Sequence, residues 1–448
     1  MPRVIFGGVS SSSGKTTAVC AVLSLLKRKG MDVNSFKCGP DYIDPMFHES
    51  VLRVHSSNLD PFFMDRDLMR STFIRNAGKE ISVIEGVMGY YDGTGETGSD
   101  NSTFTVAENI DSPVILIINS KGAAASLLAV IEGFAGYVSN SRIKGVIFNR
   151  MSPAAYRTVA ELMKKRFNGR IVPAGFIPEL PEGIVFPSRH LGLVTAAEID
   201  GLSHKLDDLA DICEKTIDID TVLTIAGSSP DIDAEEKRYE SFPAIKIACA
   251  MDDAFSFYYK DTFDMFREMG AEIVFFSPLN DEPVPDSADG LYIGGGYPEL
   301  YAERLSKNRR TAKSIMSSVS KGMPVIAECG GFQYLGEKLA GEEMIGVLPH
   351  ESYYAGRLVR FGYITLTSKS DGLLGRKGTV IRGHEFHYYD STENGDAFSA
   401  VKPNGRNWEC AVHKDTLYAG YPHLYLPSAP DAACSFYRKC LEYKEGKQ

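Results

Sequence analysis

Several things are missing from this sequence, and each absence narrows the answer. No apolar run approaches the ~18 residues that a membrane-spanning helix needs. The opening Met1-Pro2-Arg3-Val4-Ile5-Phe6-Gly7-Gly8 lacks the layout of a signal peptide and runs straight into a structured pattern. The eight cysteines are scattered, with no C-x-x-C pair. That spacing argues against a zinc ribbon or a disulfide scaffold and for a reduced, cytoplasmic protein. Basic residues are in deficit: 48 Lys and Arg against 58 Asp and Glu leave a net charge of −10. Such a chain is poorly suited to non-specific binding of nucleic acid or anionic lipid, so neither nucleic acid nor membrane is expected as a partner. No repeat or low-complexity tract stands out. What is present is globular in composition, 44% apolar and 24% charged.

At 448 residues the chain has room for two large domains. A polar, Gly- and Pro-punctuated stretch at 227–243 reads as a linker. On that reading 1–226 is one domain and 244–448 the other. In the first, short β-branched runs (Arg3–Phe6, Val33–Lys37, Ile81–Ile84, Val114–Ile118, Val146–Phe148) alternate with helical patterns (Thr16–Arg28, Ala123–Tyr137, Ala155–Arg166). The second repeats this grammar, with strands at Lys246–Ala250, Ile273–Phe276, Gly290–Ile293 and Pro324–Ala327. Helices are expected near Phe263–Glu268, Arg310–Val319 and Ala432–Tyr443, and the chain turns strand-rich after Arg360. The predicted fold is α/β: two domains, each a mainly parallel sheet with helices on both faces.

The strand Val4-Ile5-Phe6 leads into Gly7-Gly8-Val9-Ser10-Ser11-Ser12-Ser13-Gly14-Lys15-Thr16-Thr17 and then an apolar helix. This is a P-loop in its proper setting, with backbone N–H groups from Gly14 to Thr17 cradling phosphate at a helix N-terminus. Lys15 is assigned to the β/γ-phosphates of ATP and the Thr16 hydroxyl to Mg²⁺. Five residues rather than the common four separate Gly8 from Gly14, a loop length of the dethiobiotin-synthetase-like branch. The strand Ser82-Val83-Ile84 ends in Glu85, a candidate metal acid. Asp41 and Asp44 leave a second strand, and Asp92 follows in Gly86–Gly93. All four carboxylates belong at the C-terminal edge of the sheet, where open α/β sheets bind ligands.

In the second half Pro324-Val325-Ile326-Ala327-Glu328-Cys329-Gly330-Gly331 is a strand, a cysteine, two glycines and a helix. A lone cysteine is usually a small buried hydrophobe. Here the turn presents it as a nucleophile, and a helix N-terminus is expected to lower its pKa. Gly294-Gly295-Gly296 follows another strand and is a candidate oxyanion loop. His423 is the best-placed base by chain order. His384 and His387 form a second cluster whose spacing is one residue short of H-E-x-x-H, so it reads as a binding loop or structural histidines.

A P-loop half and a Cys-nucleophile half suggest ammonia released from glutamine and fixed onto an ATP-activated carboxylate. The sequence resembles the cobyrinate a,c-diamide synthase family over essentially its whole length. The resemblance rests on Ser10–Thr17, Phe36–Pro45, Ser57–Asp60, Glu85–Gly93, Pro187–Leu193, Gly294–Glu299, Glu328–Gly331 and Gly383–Tyr388. It implies a dethiobiotin-synthetase-like amidoligase domain and a class I glutamine amidotransferase domain, with ATP, Mg²⁺, glutamine and cobyrinate as ligands and a homodimer allowed. It makes Cys329 the nucleophile and His423 its base, puts Asn149 where relatives contact adenine, and turns Lys121 toward phosphate or a substrate carboxylate. The usual triad ends in His-x-Glu, whereas Tyr425 stands two residues after His423. Asp44 or Asp92 would position Mg²⁺ or accept the proton shed by the attacking amine. Close docking of the two halves would keep ammonia from water. The competing readings are the same chemistry on hydrogenobyrinate or nickel sirohydrochlorin, cobyric acid synthase on weaker motif wording, and a non-catalytic P-loop switch ATPase carrying a degenerate amidotransferase domain.

Overall fold

The computed structural model describes residues 1–94, 98–184, 202–235 and 237–446. The Pro187–Leu193 motif lies outside them. The chain separates into two compact units, Met1–Lys237 and Arg238–Gln448. No helix among the described residues is long and apolar enough to cross a membrane.

The first unit is built on seven strands: β1 (Arg3–Gly8), β2 (Val33–Cys38), β3 (Ser56–Leu59), β4 (Ile81–Glu85), β5 (Val114–Asn119), β6 (Ile143–Asn149) and β7 (Val172–Ile177). They pair in parallel in the order β3-β2-β4-β1-β5-β6-β7. β1 and β4 are buried throughout, as a sheet covered on both faces requires. Two strands escape the sequence reading. β3, Ser-Ser-Asn-Leu, carries no β-branched residue, but its polar groups have work: Asn58 Nδ2 donates to the carbonyls of Gly39 and Asp41 at 2.9 and 2.7 Å. β7 contains Pro173 and Gly175, which an edge strand tolerates. Helix α1 (Lys15–Arg28) leaves β1 through Gly14, at φ +97°, and ends in Lys27 and Arg28, which complement its dipole. Helix α2 (Ile43–Ser50) starts at the Asp41 turn and is not apparent from periodicity.

The second unit has β8 (Ile245–Ala250), β9 (Ala271–Phe276), β10 (Gly290–Ile293) and β11 (Val325–Glu328), in parallel with one another and with Leu417–Gly420. Val412–Lys414 closes one edge antiparallel. Apolar side chains of these strands feed a core on each face: Ile247, Tyr292 and Ile326 on one, Ala248, Leu291 and Val325 on the other. Five of the strands after Arg360 form a separate antiparallel sheet that includes Arg360–Ser368, Val380–His387 and His423–Leu424. That last short strand brings His423 opposite His384.

Candidate active site

In the first unit the P-loop is closed by its own serines. Ser13 Oγ accepts the Ser10 N–H at 3.0 Å and donates to the Ser10 carbonyl at 2.6 Å. A Cβ on Gly14 would stand 2.1 Å from Asn149 Nδ2, so the loop passes this side chain only as glycine. Lys15 Nζ donates to the carbonyls of Met88 and Ser10 at 2.5 and 3.2 Å. Burial, and then the neighbouring Lys37, lower its pKa to about 8. Thr17 follows in the first turn of α1.

Thr16 Oγ1 donates to Glu85 Oε1 at 2.6 Å. The same oxygen accepts from Lys37 Nζ at 2.8 Å, and Lys37 pairs with Asp44 at 2.5 Å. Lys37 comes from β2 and Glu85 from β4, directly paired in the parallel register. Burial works against the Lys37 charge, but Asp44, Glu85 and Asp41 outweigh it and hold its pKa well above the ordinary lysine value. Asp41, 4.0 Å from Lys37 Nζ, is pushed up to about 7 by burial and by Asp44. Its Oδ1 caps the start of α2 by accepting the Ile43 N–H at 2.8 Å. Behind Glu85 lies fully buried His48, with Nε2 3.8 Å from Glu85 Oε2 and Nδ1 3.1 Å from Ser35 Oγ.

The structure thus brings Thr16, Glu85, Asp44 and Asp41 together around Lys37. It places the other expected residues at a distance from that cluster or in supporting roles. Asp92 is exposed and accepts the Gly89 N–H at 2.9 Å, bracing the loop after β4. Asn149 donates to the Ser13 carbonyl at 3.0 Å and so holds the P-loop itself. Lys121 is exposed and paired with Glu179 at 3.2 Å. The donor set fits Mg²⁺: a hydroxyl and two carboxylates are hard ligands, and Glu85 Oε2 has no hydrogen-bond partner. No group of three or more His, Cys, Asp or Glu forms a metal cage among the described residues. Nucleotide oxygens and water would therefore complete the shell.

In the second unit Cys329 stands between β11 and the helix Gly330–Leu335 at φ +47°, ψ −101°. This is a strained conformation for a residue with a side chain. Its N–H donates to the Gly420 carbonyl at 2.8 Å. The turn needs both glycines after it. A Cβ on Gly331 would lie 2.1 Å from the Ile293 carbonyl oxygen, and one on Gly330 would lie 2.9 Å from Pro298. The expected lowering of the thiol pKa is not found. Cys329 is 6% exposed, and burial, with Glu299 and Glu385, pushes its pKa up. The hydrogen bond from the Gly330 N–H opposes this and is outweighed, and the helix has only six residues.

The glycine loop also differs from the expectation. The Gly294 N–H is engaged by Tyr258 Oη at 2.8 Å, which removes it as an oxyanion donor. Gly295 and Gly296 face the reactive turn. A Cβ on Gly295 would strike His423 Cε1 at 2.3 Å, and the Gly296 nitrogen lies 3.2 Å from the Cβ position of Gly330. The loop therefore touches the histidine and the cysteine turn together. His423 is 2% exposed and stacks on His384, with centroids 4.8 Å apart and planes at 16°. Burial, then His384 and His387, lower its pKa well below the ordinary value, so it stands neutral. Tyr425, where a triad acid would be, donates instead to Asp261 Oδ2 at 3.0 Å. Glu328 accepts the Leu424 N–H at 3.2 Å and fixes the strand that carries His423. Burial raises its own pKa to about 8.

Comparison with known proteins matches both halves. Residues 4–194 match the family described as the CobQ/CobB/MinD/ParA nucleotide binding domain, and residues 246–430 the CobB/CobQ-like glutamine amidotransferase domain. The chain is 38% identical to cobyrinate a,c-diamide synthase of Listeria monocytogenes, over 95% of this chain and 96% of the relative. It is 40% identical to that of Picrophilus torridus over 98% of each, and 36% identical to that of Thermoplasma volcanium over 100% and 99%. The chain belongs to the cobyrinate a,c-diamide synthase family.

Within this family frame, Lys37 and His48 are the site residues that motif reading passed over. Lys37 had a signal, a lone cation at the buried end of a strand. His48 had none, because only the packing of α2 brings it behind Glu85.

Proposed function

We propose that this chain carries out ATP- and glutamine-dependent amidation of the a- and c-carboxylates of cobyrinate, giving the a,c-diamide in cobalamin biosynthesis. The carrying observation is the pairing, in one chain of this family, of a phosphate cradle backed by Thr16, Glu85 and Lys37 with a strained cysteine turn and a neutral histidine that both pack against the Gly295–Gly296 loop.

In the second unit the resting thiol is protonated, so attack on the glutamine amide carbon has to be coupled to proton transfer from Sγ to neutral His423. The sulfur–carbon bond forms while the carbonyl becomes an oxyanion beside the Gly296 N–H. His423 then returns the proton to the leaving nitrogen, and ammonia departs. Water hydrolyses the thioester to glutamate.

In the first unit the P-loop amides and Lys15 hold the phosphates of ATP. A substrate carboxylate oxygen attacks the γ-phosphorus, the bond to ADP breaks, and an acyl phosphate forms. Ammonia adds to its carbonyl, phosphate leaves, and one proton is shed to a carboxylate at the sheet edge, with Asp44 and Asp92 the candidates. Mg²⁺, held by Thr16 and Glu85, would neutralise charge on the phosphates. Lys37 pairs with Asp44 and Glu85 and holds both in place. Asn149 shapes the loop from Ser13 to Gly14 and is assigned to the adenine side; Lys121 is assigned to a substrate carboxylate.

The test is product mass analysis with ATP, Mg²⁺ and glutamine on cobyrinate, hydrogenobyrinate and nickel sirohydrochlorin. Conversion of two carboxylates to amides on cobyrinate in preference to the others is expected, and preference for another macrocycle would reassign the substrate. Cys329→Ser should abolish the glutamine-dependent reaction and retain synthesis with ammonium. A switch ATPase would amidate nothing under either condition.

A further inference from the structure

One feature of the second unit takes no part in this chemistry. Glu385 lies in the strand Val380–His387 and is 2% exposed, yet neither carboxylate oxygen has a hydrogen-bond partner. Burying a carboxylate without donors is costly, and native proteins rarely leave one so. Beside it is His387, 6% exposed, whose Nε2 stands 3.5 Å from Glu385 Oε2. His387 Nδ1 lies 2.5 Å from the Tyr389 carbonyl. A carbonyl only accepts, so Nδ1 carries a proton, and Nε2 is the ring nitrogen turned toward Glu385. That nitrogen is also without a partner. Glu385 and His387 Nε2 therefore face each other at 3.5 Å with no hydrogen bond to either.

Among the described residues none donates to the carboxylate. Gly362, directly opposite Glu385 in the antiparallel register, has no side chain. A Cβ there would meet nothing closer than Lys402 Nζ at 3.6 Å; Lys402 donates to the Phe361 carbonyl at 2.6 Å and is attracted by the Glu385 charge without hydrogen-bonding to it. On its other side the pair leads to the thiol. The His387 ring lies flat on Tyr421, with centroids 3.9 Å apart and planes at 9°. Tyr421 follows Gly420, whose carbonyl accepts the Cys329 N–H, and packs edge-on to Phe332 at 5.2 Å. The charge of Glu385 is close enough to help raise the thiol pKa.

We infer that Glu385 and His387 receive the α-ammonium group of the glutamine that Cys329 attacks. An ammonium group carries three N–H donors and a positive charge, and it matches a buried carboxylate with no hydrogen-bond donor of its own beside an unpartnered ring nitrogen. The assignment rests on the amidotransferase reading of Cys329. It also supplies a reason for specificity: a site with buried acceptors rejects a ligand that lacks the matching donor.

The experiment compares glutamine with glutaramate, the same amide without its α-amino group, as substrates for hydrolysis by the full-length protein. Wild type should prefer glutamine by about 100-fold or more in kcat/KM. Glu385→Gln should lose most of that preference through a raised KM for glutamine, with glutaramate hydrolysis within about threefold of wild type. His387→Gln should show the same trend, weaker. Alkylation of Cys329 by iodoacetamide, which has no ammonium group, should be no slower than in wild type in either variant, and faster in Glu385→Gln, where the charge that disfavours thiolate is gone, which would show the turn intact. Ammonium-supported synthesis should also be unchanged. Equal losses on both substrates, or no loss on either, would overturn the assignment while leaving Cys329 as the nucleophile. If wild type hydrolyses no glutamine, the amidotransferase reading falls and takes this one with it.

Discussion

Gly331→Ala isolates the geometry of the cysteine turn. The added methyl would stand 2.1 Å from the Ile293 carbonyl oxygen, a backbone atom of β10 that cannot swing aside. Reaching even 3.0 Å requires a retreat of about 0.9 Å by the helix that begins at Gly330. That helix carries the Cys329 turn at its first residue, so the displacement reaches the sulfur. A misplacement of ~1 Å costs a reacting pair about 10²-fold in rate. Forcing a methyl into packed structure costs about 1–3 kcal/mol in stability. Glutamine hydrolysis by Gly331→Ala should therefore fall about 100-fold in kcat, with ammonium-supported synthesis within twofold of wild type. Gly133→Ala is the control: nothing lies within 4 Å of its Cβ position in an exposed helix. It should leave both activities unchanged and gain about 0.5–1 kcal/mol. A Gly331→Ala protein that hydrolyses glutamine within threefold of wild type would refute the argument that this turn is held at its closest approach.

Three further outcomes follow from the first unit. Lys37→Met leaves Asp44 and Glu85 buried without their cation and should cost about 3–5 kcal/mol, read as a lowered unfolding transition at pH 8. A deficit under about 1 kcal/mol would contradict the pairing. The Lys15 pKa of about 8 predicts that ATP affinity, which needs the ammonium form, falls by up to about tenfold per pH unit above 8, measured by calorimetry at pH 7 and 9, with Lys15→Arg flat over that range. Lys121→Ala removes only an exposed ion pair and should change stability by less than about 0.5 kcal/mol; a raised KM for the macrocycle would support its assignment to a substrate carboxylate, and an unchanged one would remove it.

What the sequence made legible is what is local. Gly14, Lys15 and Thr16 are neighbours in the chain, and so are Cys329, Gly330 and Gly331, so spacing alone identifies a cradle and a nucleophile turn. Glu85, Asp41 and Asp44 could be placed at one edge because strand ends in a parallel sheet share an edge. Lys37 was not assigned a role because its importance comes from register: only the pairing of β2 with β4 sets it against Glu85. β3 was invisible because its serines and asparagine serve the Asp41 turn and not an apolar core. The Gly294 amide was misassigned because its partner, Tyr258, lies 36 residues earlier.

The thiol shows the same division with a different lesson. A helix N-terminus attracts negative charge, but the effect is modest and confined to the first turn. Burial acts on the charged form from every side, and at Cys329 it prevails. The two forces have opposite consequences for mechanism. A thiolate at rest would be ready before substrate arrives and open to oxidation. A buried thiol beside a neutral histidine exchanges its proton only when the forming oxyanion and the departing nitrogen give that proton a path. The placement of Glu385 agrees with this. An unpartnered carboxylate near the sulfur disfavours thiolate in the empty site, and a bound ammonium cation would cancel that penalty. Substrate binding would then lower the barrier to ionising the nucleophile, so the alkylation rate of Cys329 should rise when a non-hydrolysable glutamine analogue fills the ammonium position beside the thiol without covering it, and that rise should vanish in Glu385→Gln.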